Sequence, residues 1–303
     1  MPKPGRLRVF PADRPARELI LDQRRTYIVG RDTAADCQVK DDGISRRHLS
    51  IDTRSEPWLL SDLGSKNGSR INGRPLGLEE LVDGAWLSLA GIPARLDRLS
   101  RPQLAAWQEE LTARQQTTTR LVERIVPLQD QDDILKNTLD AFVSISECER
   151  GALILANADG SRRIATLAGW DRFTGNLDIV ARVLATHSPA LITDHHADHE
   201  QDVRPRAPDS PAPAAIACVP LVLAGEVRGA LYGQSANTGK FFSQLDLEMM
   251  EALARQAIFA LGLSHLRQEL NLVQEQLPGN RQALEADAGM TGRIGLLLPP
   301  LKA

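Results

Sequence analysis

An arginine, a serine and an asparagine, each beside a turn signal, punctuate an otherwise alternating stretch across residues 27–73: Gly30-Arg31, Ser45-Arg46-Arg47-His48 and Lys66-Asn67-Gly68. Their chemistry is that of anion capture. Arg31 offers a planar fork of donors suited to phosphate oxygens, Ser45 a hydroxyl donor, and Asn67 an amide able to hold an extended peptide backbone. No helical period gathers these positions, whereas a β-sandwich brings loop tips together at one end. The arrangement predicts a polar cup for a phosphorylated peptide. Singly, each residue is ordinary: an arginine after glycine is mostly a surface charge, His48 alone is most simply a satisfied imidazole, and Asn67-Gly68 and Asn72-Gly73 are hairpin turns with positive φ. Function is signalled by their joint order.

The elements that must position them follow from periodicity. Short alternating runs at 7–10, 18–21, 27–30, 38–40, 48–52, 58–61, 86–89 and 92–96, separated by turn signals, predict an all-β sandwich. After Pro102 the period changes: Leu104, Leu111, Thr118 and Ile125 fall seven apart, as do Trp107, Arg114, Leu121 and Leu128. This predicts a helix of about 25 residues, either a coiled-coil strand with polar interruptions at Arg114 and Thr118 or a one-sided amphipathic helix packed on its own domain. Beyond it, helices at 134–146 and 177–186 alternate with strands at 151–157, 163–168, 190–193, 215–223 and 227–233. Turns at Asp159-Gly160 and Ala224-Gly225-Glu226 and a proline-rich loop over 203–213 separate them, and a long helix runs from Ser243. Hairpin strands with flanking helices predict an α+β domain with an antiparallel sheet.

The first hundred residues resemble forkhead-associated (FHA) domains, which recognise phosphothreonine. The residues that carry the likeness are Gly30-Arg31, Ser45-x-x-His48, Asn67-Gly68 and Ile71-Asn72-Gly73-Arg74. The resemblance implies Arg31 and Ser45 as phosphate ligands and Asn67 as the clamp on peptide backbone. Arg46 is a further candidate contact. Gly30, His48 and Gly68 are implied as structural support, with His48 bracing the serine loop. Lys66 stands where many members of the family carry threonine, so its part would be that of a flexible point charge.

The second segment is similar to a GAF domain, a small-ligand sensor and dimerisation fold. It is carried by Glu149-Arg150-Gly151-Ala152, Leu167-Ala168-Gly169-Trp170, Cys218-Val219-Pro220-Leu221, Gly225-x-Val227-x-Gly229-x-Leu231-Tyr232-Gly233 and Phe242-Ser243-x-x-Asp246-Leu247. Cyclic-nucleotide-binding members carry an Asn-Lys pair that this chain lacks, and only Phe242-x-x-x-Asp246 of their second signature is present, so no ligand is named. Together the resemblances imply a multidomain chain. An all-β FHA sandwich (1–100) is followed by a connecting helix (101–129), then an α+β GAF domain with antiparallel sheet (130–265) and a long C-terminal helix. That helix extends as a coiled coil (266–277), and a flexible tail (278–303) follows.

Composition narrows the rest. Of 303 residues, 42% are apolar and the formal charge is −3, which argues against a general nucleic-acid or membrane binder. Residues 1–100 carry 17 Lys/Arg against 14 Asp/Glu, and the remainder 19 against 25, so the mildly basic part is the one expected to meet phosphate. Cys37, Cys148 and Cys218 lie far apart without metal-ligand spacing, and no disulfide framework, zinc site or other cofactor is expected. Cys218, in an apolar strand, reads as an inert core thiol. The N-terminus shows no apolar signal core, so a cytoplasmic protein is expected.

Asp194-His195-His196-Ala197-Asp198-His199-Glu200 places His195 and His199 at helical ligand spacing, but between a strand and a proline-rich loop it reads as solvated chain. A metal-dependent hydrolase built on it is the weakest of three functions weighed. The strongest is a non-catalytic signalling adaptor binding a phosphothreonine protein made by a Ser/Thr kinase, coupled to a dimeric GAF sensor. The second is a small-molecule sensor in which an unidentified ligand in the GAF pocket regulates a downstream transcription or cyclase effector. A homodimer is expected from the four-and-three spacing of Phe259, Leu263, Leu266, Leu270, Val273 and Leu277.

Overall fold

A computed structural model describes residues 3–157, 161–193, 214–237 and 240–276. The Asp159-Gly160 turn, the 194–200 histidine cluster, the proline-rich 203–213 segment, Leu277 and the 278–303 tail lie outside the described residues.

Eleven strands, β1 (Gly5–Val9), β2 (Arg17–Leu21), β3 (Thr26–Gly30), β4 (Cys37–Gln38), β5 (Leu49–Asp52), β6 (Leu59–Asp62), β7 (Ser69–Ile71), β8 (Arg74–Pro75), β9 (Leu78–Glu80), β10 (Ala85–Leu89) and β11 (Ile92–Arg98), form the first domain. They make a six-stranded sheet, β2-β1-β11-β10-β7-β8, and a five-stranded one, β4-β3-β5-β6-β9. Alternation explains the layering: along β1, Leu7 and Val9 point inward while Arg6 and Arg8 point out, and β10 repeats this with Ala85, Leu87 and Leu89. Tyr27, Val29, Leu49, Ile51, Trp58, Leu60 and Leu96 complete the core between the sheets. Burying each such side chain contributes roughly 1.5–3 kcal/mol. The short strands β7, β8 and β9 were not foreseen. All three residues of β9 are exposed, so no alternation marked it, and its pairing with β6 makes it a strand.

Helix α1 (Arg101–Ile125) opens with a capping box in which Ser100 and Gln103 satisfy one another's backbone N–H groups. Its repeat faces its own chain. Thr118 donates to Met249 Sδ at 3.0 Å, Ile125 is fully buried in the second domain's core, and Arg114 pairs with Asp246 at 2.5 Å. The one-sided amphipathic alternative therefore describes α1, and the polar positions that marred a coiled-coil seam are intramolecular contacts.

The second domain comprises α2 (Gln131–Ser146), β12 (Arg150–Ala156), β13 (Arg162–Ala168), α3 (Leu177–Thr186), β14 (Ala190–Thr193), β15 (Ala215–Leu223), β16 (Glu226–Ser235) and α4 (Gln244–Gln276). The strands form one antiparallel sheet, β13-β12-β16-β15-β14. Both faces are covered, which is why β15 reads as a continuous apolar run. Leu153, Ala217, Val219, Leu221 and Leu231 meet α2 and α4, while Ala152, Ile154, Ile216, Cys218 and Tyr232 meet α3. Cys218 is fully buried, and burial pushes its thiol up to about 12, an unreactive state.

Candidate phosphate-binding site

Three loops of the five-stranded sheet's end carry the residues singled out in the sequence. Arg31 follows β3, Ser45 precedes β5 and Lys66-Asn67-Gly68 links β6 to β7. Backbone bonds draw the first two together: Arg31 N–H donates to the Ser45 carbonyl at 2.9 Å and Asp32 N–H to the Arg46 carbonyl at 3.1 Å. The approach is so close that a Cβ on residue 30 would lie 2.1 Å from the Arg46 carbonyl oxygen, so only glycine fits there.

His48, fully buried, joins the second loop to the third. Its Nδ1 accepts the Ser45 backbone N–H at 3.1 Å, which places the proton on Nε2, 3.2 Å from the Gly68 carbonyl that receives it. Burial lowers the imidazole's proton affinity below its ordinary value, consistent with the neutral ring this bonding demands. Gly68 sits at φ +75°, a conformation glycine tolerates. The Lys66 N–H donates to Ser45 Oγ at 3.0 Å, so the serine oxygen is an acceptor inside the loop pair and its own proton can be offered outward. Asn67 Nδ2 donates to the Gly43 carbonyl at 2.9 Å, tying the third loop to the turn before Ser45.

The rim is charged and open. Arg31 meets Asp42 at 3.3 Å, and since the Asp42 side chain is fully exposed it lies beside the guanidinium without closing the cup. Arg46 and Lys66 are exposed nearby in sequence, and Asn67 is exposed beyond its bond to Gly43. Thus Arg31, Ser45, Lys66 and Asn67 belong to loops bonded to one another, and Gly30, His48 and Gly68 underlie them.

Two contributors escaped the sequence reading. Asp62 accepts from Ser65 N–H and Ser65 Oγ, both at 2.7 Å, and from Ser69 Oγ at 2.5 Å, which fixes the loop that presents Lys66 and Asn67. Burial opposes its charge, but these three donors outweigh that and hold its carboxyl below the usual range. An aspartate two residues before a glycine and three before a serine is an Asx-turn signal that could have revealed it. Asp42, the acid beside Arg31, had only its place in Asp41-Asp42-Gly43 to mark it. Among the described residues no cluster of three or more His, Cys, Asp or Glu could hold a metal, and no helix is long and apolar enough to cross a membrane.

A family model for the FHA domain matches residues 27–90, and one for the GAF domain matches residues 130–261. The FHA domain-containing protein FhaA of Mycobacterium tuberculosis is 42% identical over 62 residues, which is 20% of this chain but 12% of that protein's length. A solved FHA domain described in terms of phosphothreonine-dependent FHA domain interactions is 29% identical, covers 31% of this chain and 95% of that one, and has a TM-score of 0.28. The GAF domain from Acinetobacter phosphoenolpyruvate-protein phosphotransferase is 16% identical over 50% of this chain and 93% of that one, with a TM-score of 0.40.

Proposed function

We propose that this chain, which carries an FHA domain followed by a GAF domain, is a signalling adaptor that captures a phosphothreonine-containing protein in the Arg31, Ser45 and Asn67 cup. FHA and GAF domains are regulatory rather than catalytic, and a Ser/Thr kinase acting on the partner would write the signal. Residues 1–100 serve as the reading module, 101–129 as the connecting helix and 130–265 as the sensor module. A phosphate carrying close to two charges is distinguished from an unmodified hydroxyl by charge-assisted donors from Arg31 and Ser45, with Arg46 and Lys66 adding positive potential at the rim. Asn67 holds the peptide backbone, and Gly30, His48 and Gly68 keep the three loops in register. The single observation that carries this function is the bonding of those loops to one another through His48, Ser45 and Asn67. Titration of the full chain with peptides from a phosphothreonine library tests it. Arg31→Ala is expected to weaken the selected peptide by roughly 2–5 kcal/mol, the scale for removing one side of a desolvated charge pair. Unchanged affinity would contradict the assignment.

A homodimer formed along α4 completes the proposal. What supports it is an uncovered apolar row: Phe259 is 55% exposed, Leu266 55%, Leu270 60% and Val273 54%. The inward side of the same helix, Met250, Leu253 and Ile258, covers the sheet instead. Ligand sensing by the GAF domain is a second function. It is favoured by Trp170, whose buried Nε1 has no hydrogen-bond partner within the Trp170, Phe173 and Tyr232 cluster. A thermal shift with small molecules co-purified from the source organism checks it.

A further inference from the structure

Residues 10–16, Phe10-Pro11-Ala12-Asp13-Arg14-Pro15-Ala16, connect β1 to β2 and are held at both ends by the second domain. At the first end the Phe10 ring meets Phe241 edge-on, with centroids 5.5 Å apart, and the Arg8 guanidinium carbon lies 5.6 Å from the centre of the same Phe241 ring. At the other end the Ala16 N–H donates to the Phe242 carbonyl at 2.7 Å, and Ala16 bridges Ser243 in parallel. Phe10, Ala16 and Phe242 are all buried, so these contacts are made away from water. Residues 241–243 lead from β16 into α4. There the Ser243 N–H and hydroxyl donate to one oxygen of Asp246, whose other oxygen takes Arg114 of α1.

The tip of the same loop touches the recognition loops. The Arg14 guanidinium donates to the Lys40 carbonyl, at the head of the segment that runs through Asp42 and Gly43 to Ser45. Asp42 is the acid beside Arg31, and the Gly43 carbonyl holds the Asn67 amide, so this one stretch of chain bears on all three cup residues. A second route leaves from Phe10. Its N–H donates to the Pro93 carbonyl at 2.9 Å, and the chain before Pro93 makes the Ala90-Gly91 turn, where the Ala90 N–H donates to the Gly68 carbonyl at 3.0 Å. Gly68 is the residue that His48 reaches. Pro11 and Pro15 fix two of the loop's φ angles, which limits how far it gives between these anchors. Asp13 adds an exposed pair with Arg182 of α3 at 3.4 Å, of little energetic weight.

We propose that the β1–β2 loop is a strap by which the GAF domain sets the affinity of the phosphate cup. A change at the β16–α4 junction moves Phe241 and Phe242, the strap follows, and the 40–45 segment gains or loses its fit to phosphate. This rests on the reading of Arg31, Ser45 and Asn67 as a phosphothreonine cup. Arg14 and Phe241 are positioning residues, since neither belongs to the cup. Coupling between sites is reciprocal, so peptide in the cup tightens the junction in turn.

Hydrogen exchange of the full chain, read by mass spectrometry without peptide, tests the strap itself. Phe241→Ala should speed exchange over residues 41–48 by roughly threefold or more while β6 keeps its rate, as local opening does. Titration with a phosphothreonine peptide selected from a library then reads the cup. Phe241→Ala and Arg14→Ala should each weaken binding about fivefold, the lower end of coupling between sites, and Arg14→Lys, which keeps a donor for the Lys40 carbonyl, should stay within about twofold of the natural protein. Bound peptide should also slow exchange over residues 10–16 and 240–243. Unchanged exchange over 41–48, or acceleration spread equally over β6, overturns the strap. Should Phe241→Ala fail to fold, unchanged loop exchange in Arg14→Ala, whose side chain is exposed, overturns it alone. A natural protein that binds no phosphothreonine peptide defeats the proposed function and the strap with it, whereas tight binding indifferent to Phe241 and Arg14 defeats the strap alone.

Discussion

Protonating His48 at Nδ1 would remove the acceptor that holds the Ser45 backbone N–H, and so would loosen the loop carrying a proposed phosphate ligand. The folded-state proton affinity is lowered by burial, so the unfolded chain takes up the proton first. Stability is therefore complete above the ordinary imidazole value of 6.5 and is lost as pH falls from there through the lower folded value. Thermal melting across this range, without peptide, should show a steeper fall for the natural protein than for His48→Asn; parallel slopes would refute the linkage. At the same scale Arg31 and Asp42 form an exposed pair of little energetic weight, which a phosphate of higher charge can displace.

At the scale of elements, α1 and α4 are joined by a polar contact that is largely sheltered. The Asp246 side chain is 5% exposed, takes the Ser243 N–H and hydroxyl at the start of α4, and pairs with Arg114 at mid-α1. Arg114→Ala leaves that carboxylate buried with its caps but no cation. We expect a loss of about 3 kcal/mol, the lower end for breaking a buried pair because Arg114 itself is 25% exposed. Denaturant unfolding of the full chain measures it, and a change within the error of the extrapolation would show the contact to be incidental. Helix α1 was legible from Pro102 and its repeat, yet which face it buried was not, because seven-residue spacing suits a partner helix and a domain surface alike. Strand β9 had no period to read at all. Its backbone bonds to β6 recruit it, and they depend on residues some twenty positions away.

For the whole molecule, the exposed row on α4 sets the expected assembly. Six or so large apolar side chains in water on one helix form a patch of the kind that marks association. If the proposed dimer forms along this row, Leu266→Asp with Leu270→Asp should give a monomer in sedimentation analysis while leaving affinity for a selected phosphothreonine peptide unchanged. A natural protein that sediments as a monomer at micromolar concentration would end this part of the proposal.

Local chemistry and periodicity sufficed for the longer elements, for the change from sandwich to α+β sheet, and for nominating Arg31, Ser45 and Asn67, because turn residues and alternation act over a few neighbours. What the tertiary structure alone decided was which of these side chains share bonds. His48 links Ser45 to Gly68, Asp62 pins the loop beyond it, and Arg114 finds an acid 132 positions later. Each of those facts depends on strand register and helix placement, set by burial of the whole core, which no local spacing contains.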